Sequence, residues 1–154
     1  MKKKVIWPLG LVLVLVAAFA YIMTLPDQQA WDSFVRVNQA ANEGDWQQVY
    51  DDLSQETRQQ FEQVGDMIRQ YAQILDIPES ALGSTESMFV AAMPQLDEMQ
   101  TSFYKGAYEV TDATRHGDTA AVEVLNRQSG QTQTVSMVRE QGVWKLVVPL
   151  QDMD

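Results

Sequence analysis

The sequence predicts an α+β protein: an N-terminal single transmembrane helix, then three to four helices packed on a four-stranded antiparallel meander. Three observations carry that expectation. Residues 5–25 hold no charge and follow Lys2, Lys3 and Lys4. From about residue 27 to 101, apolar side chains recur every three or four positions, the helical period. From residue 103 the period falls towards two, β-branched residues accumulate, and turn signals come at roughly ten-residue spacing.

At about 1.5 Å per residue the uncharged segment reaches roughly 31 Å, close to the thickness of a bilayer's hydrocarbon core. Residues 1–26 therefore read as a signal anchor and 27–154 as an exported domain. The three lysines hold the N-terminus in the cytoplasm by the positive-inside bias. The expected location is a single-pass inner membrane protein with its C-terminal domain periplasmic or extracellular, and the lipid bilayer is its partner through residues 5–25. Trp7 and Tyr21 suit the two interfaces. Ala18-Phe19-Ala20 is a small-x-small site of the cleavable kind, so cleavage after Ala20 is the alternative. Against it, the apolar run continues through Tyr21, Ile22 and Met23 and stops only at Pro26, longer than the 7–15 residues or so usual in a signal peptide. The chain has no cysteine, which excludes a lipidated cysteine, a disulfide and thiolate metal ligands.

Removing the three head lysines from 11 basic residues leaves eight against all 21 acidic ones, a charge of −13 on the exported part. Such a field repels nucleic acid and anionic headgroups, so neither is expected as a partner of the domain.

Asp27 is a plausible N-cap for a first helix carrying Trp31, Phe34, Val35 and Ala41, with Asn38 interrupting that face; Asn42-Glu43-Gly44 stops it. Asp45 caps a short second helix with Trp46, Val49, Tyr50 and Leu53 on one face. Ser54 caps a third, where Phe61, Val64, Ile68, Tyr71 and Leu75 fall at steps of three, four, three and four, the best-defined amphipathic face of the chain. That stripe is expected to face the sheet. A single turn at residues 78–83 follows. Ser84 then caps a helix with Met88, Phe89, Ala92, Leu96 and Met99, which Pro94 should kink or divide. Strands are expected over about 103–114, 119–127, 132–140 and from 143, with turns at 115–118, 128–131 and 141–142.

The phrases Ala40-Ala41-Asn42-Glu43-Gly44-Asp45-Trp46 and Val49-Tyr50-Asp51-Asp52-Leu53-Ser54, with the ending Val138-Arg139-Glu140-Gln141-Gly142-Val143-Trp144-Lys145-Leu146, resemble the nuclear-transport-factor-2-like superfamily over about residues 28–150. That resemblance implies a cone-shaped α+β fold, also used by ketosteroid isomerases. Catalytic members of similar fold use a pocket Asp, His or Tyr, and no position here matches those. The sole histidine, His116, lies in a predicted turn, a position favoured for its tolerance of unusual dihedrals.

An enzyme would draw on Asp97, Glu98, Tyr104 and Tyr108 near the helix-to-sheet junction, but Tyr108 and Glu109 point to opposite faces of a regular strand. Asp51-Asp52 and Asp97-Glu98 are adjacent in helices and do not converge on a metal. No glycine-rich phosphate cradle occurs. No catalytic residue, cofactor or metal ligand is therefore assigned. Trp46, Phe61, Ile68 and Trp144 are the expected core anchors; Phe89, Met93, Met99, Phe103, Tyr104 and Tyr108 are candidate lining of a pocket for a small apolar ligand. The expected function is a non-catalytic, membrane-tethered interaction or accessory domain acting with another membrane or envelope protein. The alternative is a ligand-binding cone in the periplasm or, behind that, a ketosteroid-isomerase-like enzyme.

Overall fold

The structure is a computed structural model, and it describes residues 16–18, 26–98 and 104–149. Among the described residues from 26 on, four helices and a single 3-10 turn precede four strands: α1 (Gln28–Glu43), α2 (Trp46–Asp51), α3 (Gln55–Ile74), the turn Glu79–Ala81, α4 (Thr85–Glu98), β1 (Tyr108–His116), β2 (Thr119–Asn126), β3 (Thr132–Glu140) and β4 (Val143–Val147). The protein is α+β, and its strands form one antiparallel sheet in the order β1-β2-β3-β4.

Each helix begins where a short polar side chain can satisfy an orphan backbone N–H. Asp27 accepts from Ala30 N at 2.9 Å, Asp45 from Gln48 N at 3.1 Å, Ser54 from Thr57 N at 3.1 Å and Ser84 from Ser87 N at 3.1 Å. Gly44 ends α1 at φ +74°, a left-handed backbone that glycine enters without a Cβ clash. Period-two alternation turns Ala120, Val122 and Val124 of β2 inward, with Val135 and Met137 of β3 and Trp144 and Leu146 of β4. On this face sit Ala30, Phe34, Val37 and Ala41 of α1 and Trp46 and Val49 of α2, and together they make one core. The outer edge of β4 is covered as well. Asp52 O accepts from Leu146 N at 2.8 Å and Leu146 O from Ser54 N at 2.7 Å, so residues 52–54 run alongside it and shield an edge that would otherwise recruit other strands.

Several boundaries differ from the sequence reading. β1 begins at Tyr108, not near residue 103, because Tyr104 (φ +47°) and Gly106 (φ +119°) turn the chain out of the extended region. α1 clamps that loop: Asn38 Nδ2 donates to Tyr104 O at 2.6 Å, and Asn42 both donates to Gly106 O at 3.2 Å and accepts from Gly106 N at 2.7 Å. The asparagine that interrupts the apolar face of α1 is thus a tie to the sheet. α4 runs through Pro94 as one helix, so the proline does not divide it. The predicted anchor, residues 5–25, lies outside the described residues except for helical residues 16–18; among the described residues no helix is long and apolar enough to cross a membrane.

The largest difference concerns α3. Its first turn is pinned to the sheet, Gln55 N donating to Glu140 Oε1 at 2.8 Å and Thr57 Oγ1 accepting from Val148 N at 3.0 Å. Beyond Phe61 the helix buries only Gly65 and Ala72. Ile68, expected as a core anchor facing the sheet, is 43% exposed, and Val64, Tyr71 and Leu75 are exposed with it. Only the first turn of α3 is hydrogen-bonded to the sheet; its later turns meet α4 instead, with Gly65 against Thr85, so the stripe beyond Phe61 is not covered by strands.

Candidate functional site

The residues foreseen as one pocket lie in two places. Tyr104 and Tyr108 pack with Phe34 as an aromatic triad, ring centroids 5.6, 6.3 and 6.0 Å apart and close to edge-on. Burial, and after it the neighbouring Tyr108, push the Tyr104 phenol above its ordinary range, so it stays protonated. This end of the fold is filled by rings. Phe89 and Met93 instead sit beneath the crossing of α3 and α4. Met99 and Phe103 lie outside the described residues, and of Asp97 and Glu98 only their place at the end of α4 is described. His116 is the last residue of β1, exposed and paired with Thr119.

The α3–α4 crossing is built around Gly65. A Cβ there would stand 2.5 Å from Thr85 Oγ1, so only glycine lets the helices approach this closely. Arg69 locks the crossing: its guanidinium donates to Thr85 Oγ1 at 3.0 Å, Asp66 at 2.7 Å and Glu62 at 3.2 Å. The Thr85 hydroxyl and then Arg69 hold the Glu62 carboxyl below the usual carboxylate range. Below the crossing, Phe61 meets Phe89 edge-on at 5.2 Å, and Phe89 meets Tyr50 at 5.2 Å. Between the helices a cavity of about 150 Å³ is lined by Phe61, Val64, Gly65, Ile68, Thr85, Met88, Phe89, Ala92, Met93 and Leu96.

From that cavity the apolar surface continues outward. Val64, Met67, Ile68, Tyr71 and Ile74 of α3 and Leu75, its C-cap, are 43–76% exposed, and Ile77 extends the patch. Isolated exposed hydrophobics are ordinary, but five on one helix with a sixth at its C-cap form an unusually apolar surface. Among the described residues no group of three or more His, Asp or Glu could hold a metal ion.

Sequence reasoning singled out the α3 stripe but not its exposure. It also weighed Asp52 only as half of an acidic pair. Asp52 is 3% exposed and takes Arg36 Nε at 3.0 Å, Arg36 Nη2 at 2.9 Å and Gln48 Nε2 at 3.0 Å, with Lys145 Nζ at 3.7 Å. Nothing local pointed to the pair: Asp32, the acid four residues before Arg36, takes Gln28 Nε2 at 2.8 Å, and Arg36 reaches Asp52 sixteen residues on. Trp46 and Trp144 are buried at 5% and 2%, and Phe61 is half-buried between the core and the groove. Comparison with protein-family models, with curated proteins and with solved structures finds no match to this chain.

Proposed function

We propose that this chain is a membrane-tethered extracytoplasmic interaction module, a nuclear-transport-factor-2-like cone whose docking surface is the apolar face of α3 with the groove against α4. One observation carries the reading: five large apolar side chains of α3, and Leu75 at its C-cap, stand in solvent in a domain that otherwise buries its core well. The order of elements, helices first and then an antiparallel meander with α1 and α2 laid on one face, supports the cone. The uncharged residues 5–25 behind three lysines support the tether, with the N-terminus inside and the domain beyond the membrane. Tethering adds local concentration without adding contacts, which suits a module whose partner shares the membrane.

The test is affinity capture of the full chain from its native membrane in mild detergent, comparing wild type with Ile68→Asp. A stoichiometric partner retained by wild type and lost at least tenfold by the variant, with unchanged folding, supports the module. Equal recovery from both sinks the assignment of this face.

A second reading rests on the cavity between α3 and α4, whose volume and apolar walls suit a short acyl or ring-sized ligand. Native mass analysis of the purified domain separates the two: a bound small molecule released by solvent favours the ligand, and a bare chain mass goes against it.

A further inference from the structure

We infer that Arg139 of β3 and Trp144 of β4 build a small oxyanion site on the inner face of the sheet, for a ligand bearing a carboxylate or phosphate group. The site lies apart from the α3 face and does not depend on what meets that face. Arg139 and Trp144 are cross-strand partners, so their side chains rise on one side of the sheet with Cβ atoms about 5 Å apart. That side is the inner one: Val135 and Met137 share the parity of Arg139, Leu146 shares that of Trp144, and all three are buried. Arg139 Nε and Trp144 Nε1 are both buried, and neither has a hydrogen-bond partner among the described residues. Trp144 as a whole is 2% exposed.

Guanidinium and indole N–H groups only donate, so these two cannot satisfy each other. A buried donor without an acceptor is costly, and buried polar atoms of folded proteins are nearly always paired. The acceptors close in the chain are engaged elsewhere. Asp118 O takes Arg139 N at 2.7 Å, and Gly117 O takes Arg115 Nε at 2.7 Å. Glu140 Oε1 takes Gln55 N at 2.8 Å, and Asp27 takes Ala30 N at 2.9 Å in capping α1. The pair therefore calls for an acceptor that these neighbours do not supply.

Charge selects its kind. Arg36, Arg69, Arg115 and Arg127 each stand within 4.0 Å of a carboxylate. Arg139 makes no ion pair among the described residues, in a chain with 21 acids to 11 bases. The Arg115 guanidinium lies 5.7 Å from the centroid of the Trp144 ring, which sets a second positive charge beside the same indole. An oxygen carrying negative charge fits this surrounding, because guanidinium bonds to carboxylate or phosphate are markedly stronger than bonds between neutral groups. Arg139 is half-buried and the Arg115 side chain is 42% exposed, so a small anion reaches them from solvent.

Four tryptophans give few indole N–H signals to follow. The experiment is heteronuclear NMR of the full chain in non-ionic detergent, titrated at fixed ionic strength with inorganic phosphate and, separately, with acetate. Trp144→Phe assigns the indole signal. The expected result is a saturable shift of the Trp144 signal, with a midpoint raised roughly tenfold in Arg139→Gln. Arg139→Lys, which keeps the charge but not the planar fork, should fall between the two, and it serves as the test if Arg139→Gln does not fold. Tighter binding of phosphate assigns a phosphate-bearing ligand, and tighter binding of acetate a carboxylate. A Trp144 signal that responds to neither anion, or responds equally in wild type and Arg139→Gln, overturns the site. Cross-relaxation from the Trp144 indole proton to a bound water, with no response to either anion, also overturns it and leaves the donors to solvent.

Discussion

Asp52 gathers three elements on one carboxylate. It follows α2, binds Arg36 of α1 through both oxygens and stands 3.7 Å from Lys145 of β4. Removing its charge leaves two cations facing a buried amide, so Asp52→Asn should lower stability by about 2–3 kcal/mol in chemical denaturation. A change below about 0.5 kcal/mol would show the cluster to be surface decoration. Trp144 is the other residue whose removal is informative. It fills the core at 2% exposure under the Arg115 guanidinium, 5.7 Å from the ring centroid. Its Nε1 is buried without a hydrogen-bond partner among the described residues. Trp144→Ala should cost about 3–5 kcal/mol. Trp144→Phe should cost clearly less, since it removes an unsatisfied donor along with part of the ring.

Among the elements, α3 and α4 decide the surface chemistry. Gly65→Ala gains about 1 kcal/mol of helix propensity but drives a methyl group into Thr85. Overpacking of this kind costs about 1–3 kcal/mol, so the net effect is a loss that Thr85→Ala in the same chain should largely relieve. Additive losses in the double-mutant cycle would mean that the two helices do not meet there. Ile68→Asp belongs to the same element and has the opposite expectation. At 43% exposure it should leave a cooperative melt and shift stability by less than about 1 kcal/mol, while abolishing docking. The Glu62–Arg69–Thr85 latch adds a pH signature. The Glu62 carboxyl sits lower when folded, so its stabilisation is present above its unfolded value of about 4.3 and is lost as pH falls through the folded one. Thermal melts between pH 3 and 6 should therefore show a smaller acid loss for Glu62→Gln than for wild type.

For the whole molecule, the question is whether residues 5–25 hold the folded domain at a membrane. If residues 5–25 anchor it, the full chain should stay in the membrane pellet after alkaline extraction, and its intact mass should include Met1 to Leu25. A supernatant species beginning at Tyr21 would place a freely diffusing domain in the periplasm and give the cavity between α3 and α4 the leading role. Charge acts at this scale too. Residues 27–154 carry −13, so like charge opposes close approach of two such domains except where uncharged surface meets.

Local chemistry was legible in the sequence because it acts within a few residues. Asp27, Asp45, Ser54 and Ser84 each announced a helix by a side chain that reaches an amide three positions on, and β3 (Thr132–Glu140) was bounded by its turns. Trp46 and Trp144 read as buried because a large ring has nowhere else to go in a domain this small. Direction was another matter. The period of Phe61, Val64, Ile68, Tyr71 and Leu75 states that α3 has an apolar face, but not what that face meets. That was decided by contacts between residues far apart in the chain: Thr57 with Val148, which pins one end of the helix, and Gly65 with Thr85, which sets α4 across it. Asn38, Asn42 and Asp52 were hidden for the same reason, since their partners Gly106, Arg36 and Lys145 become neighbours only after folding. The sequence by itself determined the order of helices and strands and the acidic balance of the domain. Tertiary structure alone decided which apolar face is core and which stays exposed, because burial depends on which other elements are laid against each helix.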